Sequence, residues 1–309
     1  MSGYIKEMFG LPVEGSDEET QRAWASRICP FLGSVCTKRR HDGTAAGVCS
    51  VRQSGDPTPV ICCPIRLYAD NYHLLIEVAS DAFDKSEDEL CLVAGGPEAI
   101  DMARSVTDRT VVAVFGHGWG HELPLPVPSN IRSTVSIDWI MVELDSSGQV
   151  SQFCAAEVQT IDTTGSHANA ARELMDTGNV IRDTVGLNWA NVRKRIFTQI
   201  VYKGQVLERE RHCSKGLYYI IPAPVFRDNF DSLGGEDMLP SYPKRPGTIT
   251  FFVYDYDPDI TFETGRVRPL RHISSYTTGI HSLQQAFSNY MPAQGDLYFH
   301  AIQRGLGIE

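Results

Sequence analysis

Residues 135–144, "VSIDWIMVEL", carry apolar side chains on both parities of an extended chain. Val135, Ile137 and Trp139 lie on one, and Ile140, Val142 and Leu144 on the other. Successive strand side chains face opposite sides, so this segment is stable only between two covering layers. It therefore predicts a central strand in a layered α/β or α+β fold. "DSSGQ" (145–149) supplies turn chemistry, and "VSQFCAAEVQT" (150–160) returns as the second strand of a hairpin. Into this apolar hairpin the sequence sets Asp138, Glu157 and Gln159. Buried carboxylates are costly unless something pairs with them.

The remaining pattern fits a mixture of helices and strands. Ser16 and Glu19 stand at capping-box spacing and predict a short helix over 16–27. Residues 28–65 read as loop-rich, 80–108 as helical in part, 110–116 as a strand and 117–130 as irregular. Residues 167–177 read as helical. In 188–206, Trp189, Val192, Ile196 and Ile200 recur at three and four residues, one face of a longer helix. Residues 216–222 and 248–256 read as further strands. We expect an N-terminal region over 1–75 holding most of the cysteines, and a main domain over 76–309.

The formal net charge of −10 argues against a protein coated in nucleic acid, but permits a local basic groove. No apolar run approaches the roughly 18 residues of a membrane span. The first residues lack the apolar core of a signal peptide. The expectation is a cytoplasmic protein with no membrane partner.

Three sets of residues carry chemistry. Asp138 and Glu157 on paired strands, with a backbone carbonyl, make a hard oxygen site suited to Mg²⁺. Such an ion would pair the acids and serve phosphoryl chemistry; the alternative is two polar residues at partly exposed strand ends. Of eight cysteines, five fall between 29 and 63. In a reducing cytosol such clustering points to metal or redox chemistry. Cys29, Cys36, Cys49 and Cys63, separated by 6, 12 and 13 residues, suit a tetrahedral Zn or Fe site. Cys62 is a spare candidate, and buried free thiols or disulfides are the alternatives. Cys91, Cys154 and Cys213 stand alone and read as small apolar packers. Finally, Arg193, Lys194 and Arg195, with Lys203 further along, form either a solvated helix face or a set of phosphate contacts.

Asp138 followed by Glu157-x-Gln159 resembles the PD-(D/E)xK nuclease motif, whose last position is usually Lys. Gln159 can orient a water or phosphate but supplies no positive charge, which Lys203 is one candidate to lend. "CPFLGSVC", "GVCSV" and "CCPIRLYADNY" resemble the four-cysteine module of the NotI-type restriction endonucleases. The likeness continues, in the family's order, through "SIDWIMVEL", "AAEVQT", "NVRKRIFTQIVYK", "GLYYIIPAPVF" and "FFVYDYDPD", and covers about residues 25–260.

The resemblance implies a PD-(D/E)xK restriction-endonuclease-like core, with a mixed central sheet flanked by helices, plus a small N-terminal four-cysteine iron module, with zinc as the alternative. It implies a Mg²⁺-dependent type II enzyme of a bacterial restriction-modification system. Such an enzyme cuts double-stranded DNA at a GC-rich palindrome as a homodimer. Its structural metal ligands would be Cys29, Cys36, Cys49 and Cys63, with Cys63 preferred to Cys62 because Pro64 follows it. Its active site would hold Asp138, Glu157 and Gln159, with Glu122 of "GHEL" matching a further active-site glutamate. His117 and His121 receive no role, and the family's longer C-terminal region is largely missing here. The rivals are another nuclease of the superfamily (repair or homing) and a non-catalytic, metal-stabilised DNA-binding module. More distant is a thiol-redox enzyme, for which Cys62 and Cys63 are the nearest approach to a reactive pair.

Overall fold

The structure is a computed structural model that describes residues 2–40, 42–125, 135–260, 263–289 and 295–308. At the N-terminus come β1 (Gly3–Met8), β2 (Leu11–Pro12), α1 (Glu18–Ser26), β3 (Ile28–Cys29), β4 (Ser34–Val35), β5 (Val48–Gln53) and β6 (Pro59–Ile61). Residues 28–65 are thus more ordered than their Gly, Pro and Cys content predicts. β5 pairs with β1, with Ile5 opposite Val51, and the four-stranded sheet runs β2-β1-β5-β6. A partner more than forty positions upstream leaves no local periodicity to read. The expected capping box at Ser16 is replaced by Asp17, whose carboxylate accepts from Thr20 N at 2.8 Å. An ionised acceptor has the advantage at a helix N-terminus.

The chain continues through α2 (Ala69–Phe83), β7 (Leu90–Ala94), α3 (Pro97–Ser105), β8 (Thr110–Gly116), β9 (Trp139–Leu144), β10 (Val150–Val158), α4 (Ala168–Thr177) and α5 (Trp189–Leu207). Then follow β11 (Leu217–Pro222), α6 (Ala223–Ser232), α7 (Gly235–Met238), β12 (Thr248–Tyr256), β13 (Leu270–Gly279), α8 (Ile280–Ser288) and α9 (Leu297–Leu306). Strand β7 inside the stretch read as partly helical, and β13, were not foreseen. The irregular stretch expected over 117–130 can be followed to 125; its last residues lie outside the described ones. α2 has a kink at Asp70–Tyr72, just before the expected boundary at 75.

Strands β7 to β13 form one mixed seven-stranded sheet in the order β13-β12-β11-β10-β9-β8-β7. β9 and β10 are antiparallel, and β10, β11 and β12 are parallel. The hairpin read from sequence thus lies at the middle of the sheet. Its two parities meet two different layers. Trp139, Met141, Cys154 and Ala156 pack with Leu75, Val78 and Ala79 of α2. Ala155 packs on the opposite face with Val192, Ile196 and Ile200 of α5, a core that also takes in Ile5 and Val51 of the N-terminal sheet. Helices therefore flank both faces, which is what a doubly apolar strand requires.

Gly116 closes β8 beside the start of β9. A Cβ there would stand 2.4 Å from the Asp138 carbonyl oxygen and from the Trp139 ring. Gly116→Ala should therefore cost about 1–3 kcal/mol, the usual penalty of overpacking a dense core, read as a lower urea midpoint. An unchanged midpoint would show that the hairpin entry is looser than this contact implies.

Candidate functional site

The hairpin acids converge across the two strands. Asp138 lies one residue before β9, Glu157 within β10, and Gln159 one residue beyond β10. The Asp138 carboxylate accepts from Val158 N at 2.9 Å, and Asp138 N donates to the Glu157 carboxylate at 3.1 Å. Each acid thus fixes the other strand's end. Both belong to the parity that faces α5, and from that helix Lys203 Nζ donates to Glu157 Oε1 at 2.5 Å. Glu157, Gln159 and Lys203 are buried, at 4%, 7% and 5% exposure. All three, with Asp138, line a cavity of about 640 Å³ that Tyr68 and Arg195 also border.

Burial raises the proton affinity of both acids. It lifts Asp138 above the ordinary aspartate range. It pushes Glu157 up to about 7, with the Asp138 charge adding to the effect and Lys203 opposing it. Two carboxylates held together at an open cavity, each destabilised as a bare anion, are a donor set that a hard divalent cation satisfies. Gln159 turns its amide toward the Thr160 carbonyl. Glu122, an exposed loop residue outside the cavity lining, accepts from Ser136 Oγ at 3.1 Å, and its charge reaches Asp138. His117 and His121 are exposed loop residues, the second with its ring edge-on to Phe115.

The four basic residues of α5 do not act as one face. Arg193 reaches α6 and pairs with Asp228 at 2.7 Å. Lys194 is exposed, and Arg195 at the cavity edge pairs with Asp162 at 2.6 Å. Lys203, expected among the phosphate contacts, is instead buried against Glu157. Tyr219, opposite Glu157 on β11, was not foreseen either. Its hydroxyl is fully buried and makes no hydrogen bond among the described residues.

Five cysteines lie on or beside the N-terminal strands, Cys29 in β3 and Cys49 in β5. Cys29, Cys36, Cys49, Cys62 and Cys63 are all buried and unpaired as disulfides. Cys29 and Cys63 occupy matching Cys-Pro turns. Leu32 N donates to the Cys29 carbonyl at 3.2 Å, and Arg66 N to the Cys63 carbonyl at 3.0 Å. Gly10 N donates to Cys49 Sγ at 3.3 Å. Cys63 shares a hydrogen bond with Cys49, which holds its thiol below the ordinary range, while burial lifts Cys62 to about 12. Burial raises the Cys29 thiol, and the hydrogen bond with Cys63 together with burial raises Cys49 well above its ordinary value, so their surroundings favour neutral thiols. The sulfurs are not drawn to ligand spacing. Among the described residues, the group of three ligand atoms within 4.8 Å of one another is His73, Glu77 and Glu87, on the surface side of α2. Cys154 and Cys213 are buried, as packers should be, and Cys91 is half-buried.

Pro64, next to Cys63, lines the cavity of the acids. The thiol cluster and the carboxylate cavity thus meet at adjacent residues of the chain. Among the described residues, no helix is long and apolar enough to cross a membrane. The chain matches no family model, and no curated protein matches it.

Proposed function

We propose that this chain is a Mg²⁺-dependent endonuclease that hydrolyses phosphodiester bonds of double-stranded DNA. In this reading it is a type II restriction enzyme with a PD-(D/E)xK core. The observation that carries the reading is the convergence of Asp138 and Glu157 from two central strands onto one cavity wall. When bound, Mg²⁺ supplies charge neutralisation at the scissile phosphate and lowers the proton affinity of the attacking water. Asp138 and Glu157 are the residues that would hold it. Gln159 lies beside them to orient a water or a phosphoryl oxygen, and Arg195 stands at the cavity edge to meet the backbone. Glu122 adds negative charge that reaches Asp138, where it favours a cation.

The sequence resemblance adds the rest of the proposal: a GC-rich palindromic site, a homodimer whose two-fold axis matches that of the site, and a structural Fe or Zn on Cys29, Cys36, Cys49 and Cys63. The net charge of −10 per chain means that binding depends on the local placement of Arg and Lys. The test is incubation of GC-rich plasmid DNA with the protein and Mg²⁺, followed by sequencing of the ends. The expected result is a discrete set of fragments sharing one palindrome at their ends. No cleavage with either Mg²⁺ or Mn²⁺ would overturn the reading.

A further inference from the structure

We infer that Lys203 is a positioning residue of this active site, the fixed cation that Gln159 does not supply. The inference rests on the nuclease reading and adds a residue to it.

The geometry begins with the helix. In α5 the buried stripe runs Val192, Ile196, Ile200, Lys203 and Leu207, steps of four, four, three and four. Lys203 thus occupies a position where the helix otherwise presents aliphatic side chains to the sheet. Its ammonium is carried down to Glu157 Oε1, at 2.5 Å, and its side chain is 7% exposed. A buried ion pair is weak evidence for stability, because desolvation offsets the Coulombic gain and an apolar pair of similar volume is often as stable. Stability alone therefore gives no reason to put a lysine on this stripe.

Its surroundings give one. The cations lining this cavity among the described residues are Arg195 and Lys203. Arg195 is drawn outward to Asp162 in an exposed pair. Gln159 is neutral and turned to the Thr160 carbonyl. Lys203 alone of these side chains touches an inner carboxylate. It comes from a helix rather than from the strand that carries Glu157, so its charge reaches the site by a different route through the fold. There it acts through Glu157. It fixes the carboxylate rotamer and places a positive charge where the phosphoryl group gains negative charge. Buried, preorganised charge of this kind is strong because no solvent has to reorganise around it.

The test compares single-turnover cleavage by the wild type, Lys203→Met, Gln159→Lys and the double variant Lys203→Met/Gln159→Lys, with folding followed by thermal melting. Lys203→Met should slow cleavage by about 10²–10³-fold, with Ca²⁺-supported DNA binding unchanged. Gln159→Lys, which returns a cation to the same wall from the end of β10, should then recover roughly tenfold or more of that rate. A purely structural lysine would not be replaced from a different element. If Met at 203 unfolds the chain, Lys203→Gln, polar but uncharged, takes its place and is read by the same two measurements. Cleavage at the wild-type rate without Lys203, or a folded but inactive variant that Gln159→Lys leaves inactive, overturns the inference while the nuclease reading stands. A wild type that cuts no DNA removes both.

Discussion

Asp138→Asn and Glu157→Gln should each reduce Mg²⁺-dependent cleavage by about 10³-fold or more, while the protein stays folded and binds DNA in Ca²⁺. The exchanges are isosteric, and the hydrogen bonds that join the two strand ends can persist with an amide oxygen as acceptor. What is lost is the pair of charges that a divalent cation needs. Unimpaired cleavage by either variant would remove the assignment. Titration adds a second handle. Glu157 is pushed from 4.5 up to about 7, chiefly by burial, so below that pH its carboxyl holds a proton that the cation must displace. The Mg²⁺ concentration giving half-maximal cleavage should therefore rise about tenfold per pH unit on the acid side of 7. It should be flat on the alkaline side. The sign for stability is the reverse. A raised folded-state pKa means that the fold binds the proton more tightly than the unfolded chain does. The metal-free protein is thus helped below pH 4.5 and loses that help as pH rises through 7. Added Mg²⁺ should return it. A half-maximal Mg²⁺ concentration that does not change between pH 6 and pH 8 would show that Glu157 does not hold a proton in this range.

Cys63→Ser should lose the structural metal, and Cys62→Ser should keep it. Adjacent in sequence, the two thiols have opposite surroundings. Cys63 shares a hydrogen bond with Cys49, which holds its thiol below the ordinary range. Cys62 is buried, which favours the neutral thiol against the opposing charge of Lys38, and its sulfur points to the Val48 carbonyl at 3.8 Å. Structural metal binding contributes on the order of 10 kcal/mol, comparable with the whole stability of an ordinary domain. Residues 28–65 should then unfold in Cys63→Ser, and the melting temperature should drop well below that of Cys62→Ser. Because Pro64 lines the cavity of Asp138 and Glu157, cleavage should fall with it. Elemental analysis of the two purified variants decides the matter. Equal metal in both, or none in the wild type, would sink the ligand set.

The sequence by itself determined the parts that repeat within a few residues. The two parities of residues 135–144 required a strand covered on both faces, and β9 is one, at the centre of the sheet. The three- and four-residue recurrence in 188–206 required a helix packed on one side, and α5 spans Trp189–Leu207. The hairpin also announced its acids, since a carboxylate among apolar neighbours is conspicuous wherever it points. Lys203 left a trace as well, a charged residue in register with an apolar stripe, but nothing local said which acid it would meet.

That choice belonged to tertiary structure, as did three others. Strand β1 pairs with β5 across most of the N-terminal region. The basic residues of α5 scatter because Asp228 and Asp162 come from elements more than thirty positions away in either direction. Cys29 and Cys63, more than thirty positions apart, come close enough for their charges to interact. In each case the partner is distant in sequence. Hydrophobic periodicity says which face of an element is buried but nothing about what buries it. The energy of a cross-strand pair or a buried ion pair appears only when the chain has closed the loop between its members.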